Sequence, residues 1–212
     1  GAPFSGDTAA SVPPLGSLSS GVKAVYSVQL AFAALKTDGS VVTWGGEGGD
    51  SSKVATQLKS DVVAIYKNMK AFAALKNDGS VVTWGNASYG GNSSKVAKQL
   101  KSDVETIYAN EQAFAALKEG GSVVTWGAGG SDSSKVASQL KSDVVEISST
   151  QYAFAARKKD GSVVTWGDAN YGGDSSGVAD RLQDGVVSVH SCIWAFCAVK
   201  RDGGSSARTT RG

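Results

Sequence analysis

"AFAALKNDGSVVTWGNASYGGNSS" (residues 71–94) has close copies beginning at Ala31, Ala113 and Ala153, and a fifth, decaying copy beginning at Ala195. Successive copies therefore lie 40, 42, 40 and 42 residues apart. A module copied so faithfully is an architectural unit, because a catalytic site needs its residues only once and a stacked repeat needs them in every copy. The alternating length arises after Trp-Gly. "GGEGGDSS" and "GAGGSDSS" alternate with "GNASYGGNSS" and "GDANYGGDSS", so Tyr89 and Tyr171 occur only in the long copies. Duplication of an 82-residue pair accounts for the pattern.

Within a copy the local signals agree. "VVAIY" (residues 62–66) is rich in β-branched and aromatic residues and reads as a strand. "AFAALK" is apolar on both alternating faces, so it reads as a strand buried on two sides, with its alanines allowing neighbouring sheets to approach closely. Asp38-Gly39, Asp78-Gly79, Gly120-Gly121 and Asp160-Gly161 are hairpin turns, since glycine tolerates the positive φ such turns demand. "SVVTWG" is the returning strand. In "GNSSKVAKQLKSD", Asn92 or a following Ser caps a short helical segment of one or two turns, with Val96 and Leu100 on one face.

The chain opens with the second half of a repeat ("GVKAVYS" against "GVVSVHS") and closes with a first half ("AFCAVKRDGG"). Complementary halves predict a mainly β, propeller-like fold of about five blades, with the termini sharing one blade so that no sheet edge is left open. The divisions are a half-repeat 1–30, repeats 31–70, 71–112, 113–152 and 153–194, and a half-repeat 195–204. Residues 205–212 follow as a basic tail. That tail, "SSARTTRG", has lost the valines and tryptophan of "SVVTWG", so an open curved β array competes with the closed ring.

The aromatic-Ala-Ala-Leu strand, Asp-Gly turn, Val-x-x-Trp-Gly strand and following Tyr-Gly resemble the repeat of the regulator of chromosome condensation (RCC1-like) superfamily, over roughly residues 4–204. The resemblance implies a β-propeller acting as a protein-binding platform, although the family's repeats are longer and its blades number seven. It would also make the helical piece of each repeat an outer strand. Trp44, Trp84, Trp126 and Trp166 match the family's structural tryptophan. Short repeats of this kind are also similar to those of algal proteins. The specific expectation is a peripheral accessory subunit of an algal organelle complex, a photosynthetic one, in the plastid or thylakoid.

Composition bounds the alternatives. A net charge of +2 with the two signs interspersed leaves no electrostatic footprint for nucleic acid. The longest apolar run, "IWAFCAV" (residues 193–199), is far below the roughly 20 residues of a membrane span, so the expectation is a protein that does not span the membrane but can lie against a membrane complex. Gly1, with no initiator Met, reads as a mature end after removal of a targeting segment, or simply as the start of the segment in hand. Cys192 and Cys197 lack zinc-site spacing, and His190 stands where Tyr66 and Tyr108 stand, as an aromatic substitute rather than a catalytic base. No cofactor, metal or catalytic residue is expected.

Two surfaces remain as candidates. The position just before each AFAA strand varies, being Leu30, Lys70, Gln112, Tyr152 and Trp194, and so reads as an exposed rim. Leu30, Lys70, Tyr152 and Trp194, with Arg208 and Arg211 of the tail, are candidate protein contacts. The long loops offer Asn86, Tyr89, Asp168, Asn170 and Tyr171, which in a lectin-like alternative would bind a sugar or another small ligand. Only alternate copies carry the tyrosine, which weighs against that alternative. Asp168, Asn170 and Asp174 resemble a calcium loop, but the sister loop has Asn86, Ser88 and Asn92, and turn formation explains both.

Overall fold

The structure, a computed structural model, describes residues 12–201 and the backbone of 207–208. It contains five three-stranded antiparallel sheets, each built from three consecutive strands. The first holds β1 (Val22–Ser27), β2 (Ala31–Lys36) and β3 (Val41–Gly45). The second holds β4 (Val62–Lys67), β5 (Ala71–Lys76) and β6 (Val81–Gly85). The third holds β7 (Val104–Ala109), β8 (Ala113–Lys118) and β9 (Val123–Gly127). The fourth holds β10 (Val144–Ser149), β11 (Ala153–Lys158) and β12 (Val163–Gly167). The fifth holds β13 (Val186–Ser191), β14 (Phe196–Lys200) and the short β15 (Ala207–Arg208).

This topology corrects the expectation of a blade shared between the termini. β1 pairs with β2 of its own sheet, and β15 pairs with β14, so the first and last described strands lie in different sheets. The reason is local: the turn joining β1 to β2 is three residues, 28–30, and pairing across it closes a far shorter loop than pairing across the chain. Residues 207–208, read as part of a solvated tail, form a strand; residues 202–206 and 209–212 lie outside the described residues.

The short helical segment of each connection is a 3-10 segment, such as Ser52–Val54, Ser94–Val96 and Ser134–Val136, and not an outer strand; the two long loops add a second one each, at Ala87–Tyr89 and Ala169–Tyr171. The expected apolar pair is nevertheless used: Leu100 is buried and Val96 packs beside it. Asn92 accepts the amide of Ser94 at 3.0 Å, but the Ser93 hydroxyl, instead of capping, accepts a hydrogen bond from Thr83 at 3.0 Å. Thr83 also donates to the carbonyl of Gly91 at 3.2 Å. Thr43, Thr125 and Thr165 bond in the same way to the loop behind them, which explains the threonine of "VVTWG".

The hairpin turns are tight. Gly79 has φ +75°, and a Cβ there would lie 2.7 Å from the backbone nitrogen of Asp103 in the next sheet's approach. Its carbonyl accepts from Val104, 3.1 Å away, so the turn of one sheet is tied to the first strand of the next. Asp61, Asp103 and Asp143, just before β4, β7 and β10, adopt positive φ, and Gly21 and Gly185 occupy the equivalent place in the first and last sheets.

Every sheet has two different faces. The leading face of the first sheet, with Ala31, Ala33 and Leu35, packs on the trailing face of the second, with Val62, Ile65, Phe72, Ala74, Val82 and Trp84. Leu58 from the connection closes the seam. The same pairing recurs between the second and third, third and fourth, and fourth and fifth sheets. Small alanines on one face receive the large side chains of the other. On the trailing faces of the first four sheets the paired Phe and Trp stack, as Phe72 on Trp84 at 5.1 Å and Phe114 on Trp126 at 5.3 Å.

Candidate interaction rim

The turns that precede β2, β5, β8, β11 and β14 are joined by a backbone ladder. The amide of Gln29 donates to Met69, Met69 to Glu111, Glu111 to Gln151, and Gln151 to Ile193, at 2.9 to 3.2 Å. This ladder sets the variable turn residues in one row along one edge of the array. Leu30 and Trp194 are exposed, at 57% and 49%, while Lys70, Gln112 and Tyr152 are half-buried.

The row meets the variable loops. A buried polar residue two positions before each of Lys70, Gln112 and Tyr152 ties turn and loop together. Asn68 accepts the amides of Lys70 and Ala71 and donates to the carbonyl of Tyr89 at 2.6 Å. Asn110 does the same with Gln112, Ala113 and the carbonyl of Gly129. Thr150 donates to the carbonyl of Tyr171 at 2.8 Å. These three residues were not singled out from the sequence; the available signal was a polar residue recurring just after an apolar strand.

The two candidate surfaces therefore merge. Trp194 stacks on Tyr171, with ring centroids 5.0 Å apart, and Tyr152 meets Tyr171 edge-on at 4.7 Å. The Tyr152 hydroxyl donates to Glu111 at 3.1 Å, and burial, with this hydrogen bond and the Glu111 charge, holds the phenol above its ordinary value. At the other end of the row Lys70 lies over the ring of Tyr89, 5.4 Å from its centroid, and pairs with Glu47 at 3.3 Å. Asn86 donates to the same Glu47, whose carboxyl is held below its ordinary value chiefly by that hydrogen bond. Glu47, Lys70, Asn86 and Tyr89 are thus one polar cluster, while Tyr152, Tyr171 and Trp194 are one aromatic cluster.

Asn86 and Asp168 cap the 3-10 turns of their loops by accepting the amides of Ser88 and Asn170, at 2.9 and 2.8 Å. Asn170 and Asp168 are exposed. Among the described residues no three His, Cys, Asp or Glu side chains gather as metal ligands, and no helix is long and apolar enough to cross a membrane. His190 is exposed, with Nε2 3.1 Å from the Ser188 hydroxyl. Cys192 and Cys197 are not joined in a disulfide. Arg208 lies in β15, whose side chains are not described, and Arg211 lies outside the described residues.

Loop length also decides how the structural tryptophans are satisfied. Trp126 donates its indole N–H to the carbonyl of Gly90, in the long loop of the preceding sheet, at 3.0 Å. Trp84 and Trp166 follow short loops, and their buried indole N–H groups have no partner. Arg157, which takes the place of Leu35, Leu75 and Leu117, pairs across strands with Glu146 at 2.9 Å, where the first two sheets pair Leu with Ala.

No family model matches the chain, and no curated protein matches it. Solved structures do. The chain is similar to the ectodomain of the receptor kinase CR4 from Physcomitrella patens, at 17% identity and a TM-score of 0.51, over 87% of this chain and 51% of that one. Prp20p from Saccharomyces cerevisiae, described with its binding properties to Gsp1p and histones, matches at 17% identity and 0.51, over 85% of this chain and 55% of that one. The CRINKLY WD40 ectodomain of the Arabidopsis thaliana receptor kinase ACR4 matches at 17% and 0.50, over 84% and 58%. Prp20 is the yeast RCC1. The fold is RCC1-like. The protein is a mainly β, propeller-like repeat protein, and it spans little more than half the length of these neighbours.

Proposed function

We propose that the protein is a non-catalytic scaffold that binds another protein through its rim, as an accessory subunit of a larger assembly. The observation that carries this reading is the continuous aromatic surface of Tyr152, Tyr171 and Trp194, held on a row of turns fixed by backbone hydrogen bonds. Trp194 is exposed and the two tyrosines half-buried beneath and beside it, and aromatics mounted so rigidly gain contact area with little ordering cost, which is what interface anchors need. The binding of Gsp1p and histones named for Prp20p makes partner binding a reasonable use of this fold. In its finer form the proposal places the assembly in an algal organelle, where a photosynthetic complex is the specific expectation.

The carbohydrate-binding alternative receives less support from the same geometry. One face of the Tyr171 ring is taken by Trp194, and Lys70 covers Tyr89. The test is a comparison of wild type with Trp194→Ala and Tyr171→Ala, each immobilised in a gentle extract of the source. The scaffold reading expects one stoichiometric protein retained by wild type and lost on both variants, with no response on a glycan array. A glycan signal abolished by Tyr89→Ala and Tyr171→Ala would replace it with the sugar-binding reading.

A further inference from the structure

The two end faces of the array are exposed, and they are the two halves of the contact that joins the sheets internally. On the trailing face of the first sheet, Val25 is 54% exposed and Phe32 40%. Their counterparts Ile65, Ile107, Ile147 and Val189 are at most 6% exposed, and Phe72, Phe114, Phe154 and Phe196 at most 4%. Val42 and Trp44 are likewise half-buried where Val82 and Trp84 are buried. On the leading face of the fifth sheet, Val199 is 38% exposed where Leu35, Leu75 and Leu117 are at most 6%. The four internal seams show what such a trailing face fits: a leading face of this same chain.

The backbone agrees. In the rim ladder each turn donates to the next, so the described residues leave an acceptor at the start, the carbonyl of Gln29, and a donor at the end, the amide of Ile193. The Gln151-to-Ile193 bond spans 3.1 Å, and an Ile193-to-Gln29 bond would add the next step of the same ladder. The leading-face position of His190 points the same way. Its counterparts Tyr66 and Ser148 reach across their seams, to Thr106 at 3.2 Å and to the carbonyl of Val189 at 3.0 Å.

We propose that the leading face of the fifth sheet docks on the trailing face of the first sheet of a second copy, so that chains associate head to tail. The contact is heterologous: it joins two different patches, and so it propagates or closes into a ring of chains rather than stopping at a symmetric pair. It uses the sheet faces at the ends of the array, not the aromatic rim.

The heterologous geometry gives a test that a structural defect cannot imitate. Val25→Glu spoils only the trailing end, and Val199→Glu only the leading end; both positions are already exposed, and each variant's urea midpoint confirms that it is folded. Light scattering on the purified 212-residue chain should show a mass that climbs above 21.6 kDa with concentration. Each variant alone should stay at one chain. Mixed in equal amounts, they should form a complex of two chains and nothing larger, through the one intact pair of faces. A wild-type mass that stays at one chain, as it would if the first and fifth sheets met within one molecule, overturns the proposal. So does a mixture that remains monomeric, or a single variant that still associates.

Discussion

Phe114 and Phe32 occupy the same place in the same sequence, "AFAALK", and each stacks on its own tryptophan at 5.3 Å. They differ in one respect: Phe114 is fully buried against the second sheet, and Phe32, with no sheet before it among the described residues, is 40% exposed. Replacing Phe114 with Ala removes a buried ring and leaves a closed cavity, at a cost of about 3–5 kcal/mol. Replacing Phe32 with Ala forfeits only the transfer energy of the covered part of the ring and opens a dent to solvent, at about 1–2 kcal/mol. With a urea slope of about 2 kcal/mol per molar, the two midpoints should differ by about 1 M. Urea unfolding followed by tryptophan fluorescence, at dilution low enough to suppress chain association, makes the comparison. Equal losses would mean that the trailing face of the first sheet is covered, and the reasoning from end faces would fail.

Three further outcomes follow from the same contacts. Glu146→Ala should destabilise the fold slightly, by about 0.5 kcal/mol for a partly exposed ion pair, and Glu146→Ala with Arg157→Leu, which recreates the Ala–Leu pairing of the first two sheets, should recover or exceed wild-type stability; a double variant weaker than the single would contradict this. Trp126→Phe should cost about 1 kcal/mol more than Trp84→Phe, because only the first loses a hydrogen bond, and equal urea midpoints would count against the role given to loop length. Asp38, Asp78 and Asp160 are held below the usual 3.8 chiefly by hydrogen bonds from Ser40, Ser80 and Ser162. Depressed folded-state values mean stability that is fully present above 3.8 and lost as pH falls below it through the lower folded-state values, so the urea midpoint should decline in that range, and less steeply in the triple Asp→Asn variant; a midpoint that rises on acidification would refute the assignment.

Much of the fold was legible in the sequence because its signals are local. Strand, hairpin and return follow from β-branched runs, Asp-Gly turns and a fixed period, and the burial of "AFAALK" on both faces follows from its lack of any polar alternation. The left-handed aspartates at 61, 103 and 143 were not anticipated, although Gly21 and Gly185 at the same position carried the signal. The arrangement of halves was not legible: matching a first half at one end with a second half at the other says nothing about which strands pair, and the short turn between β1 and β2 decides that. The rim row was read from variability alone. Its merger with the long loops depends on how far one sheet is displaced from the next, which brings Trp194 onto Tyr171 from 23 residues away and which no local pattern encodes.

The most direct measurement of the central claim is the native size of the protein in a gentle extract of its source, with mass spectrometry of whatever migrates with it. A scaffold for another protein should run far above 21.6 kDa, with a different protein present in fixed ratio and displaced when Trp194 is replaced by Ala. A chain that migrates alone, or only with copies of itself, would contradict that account.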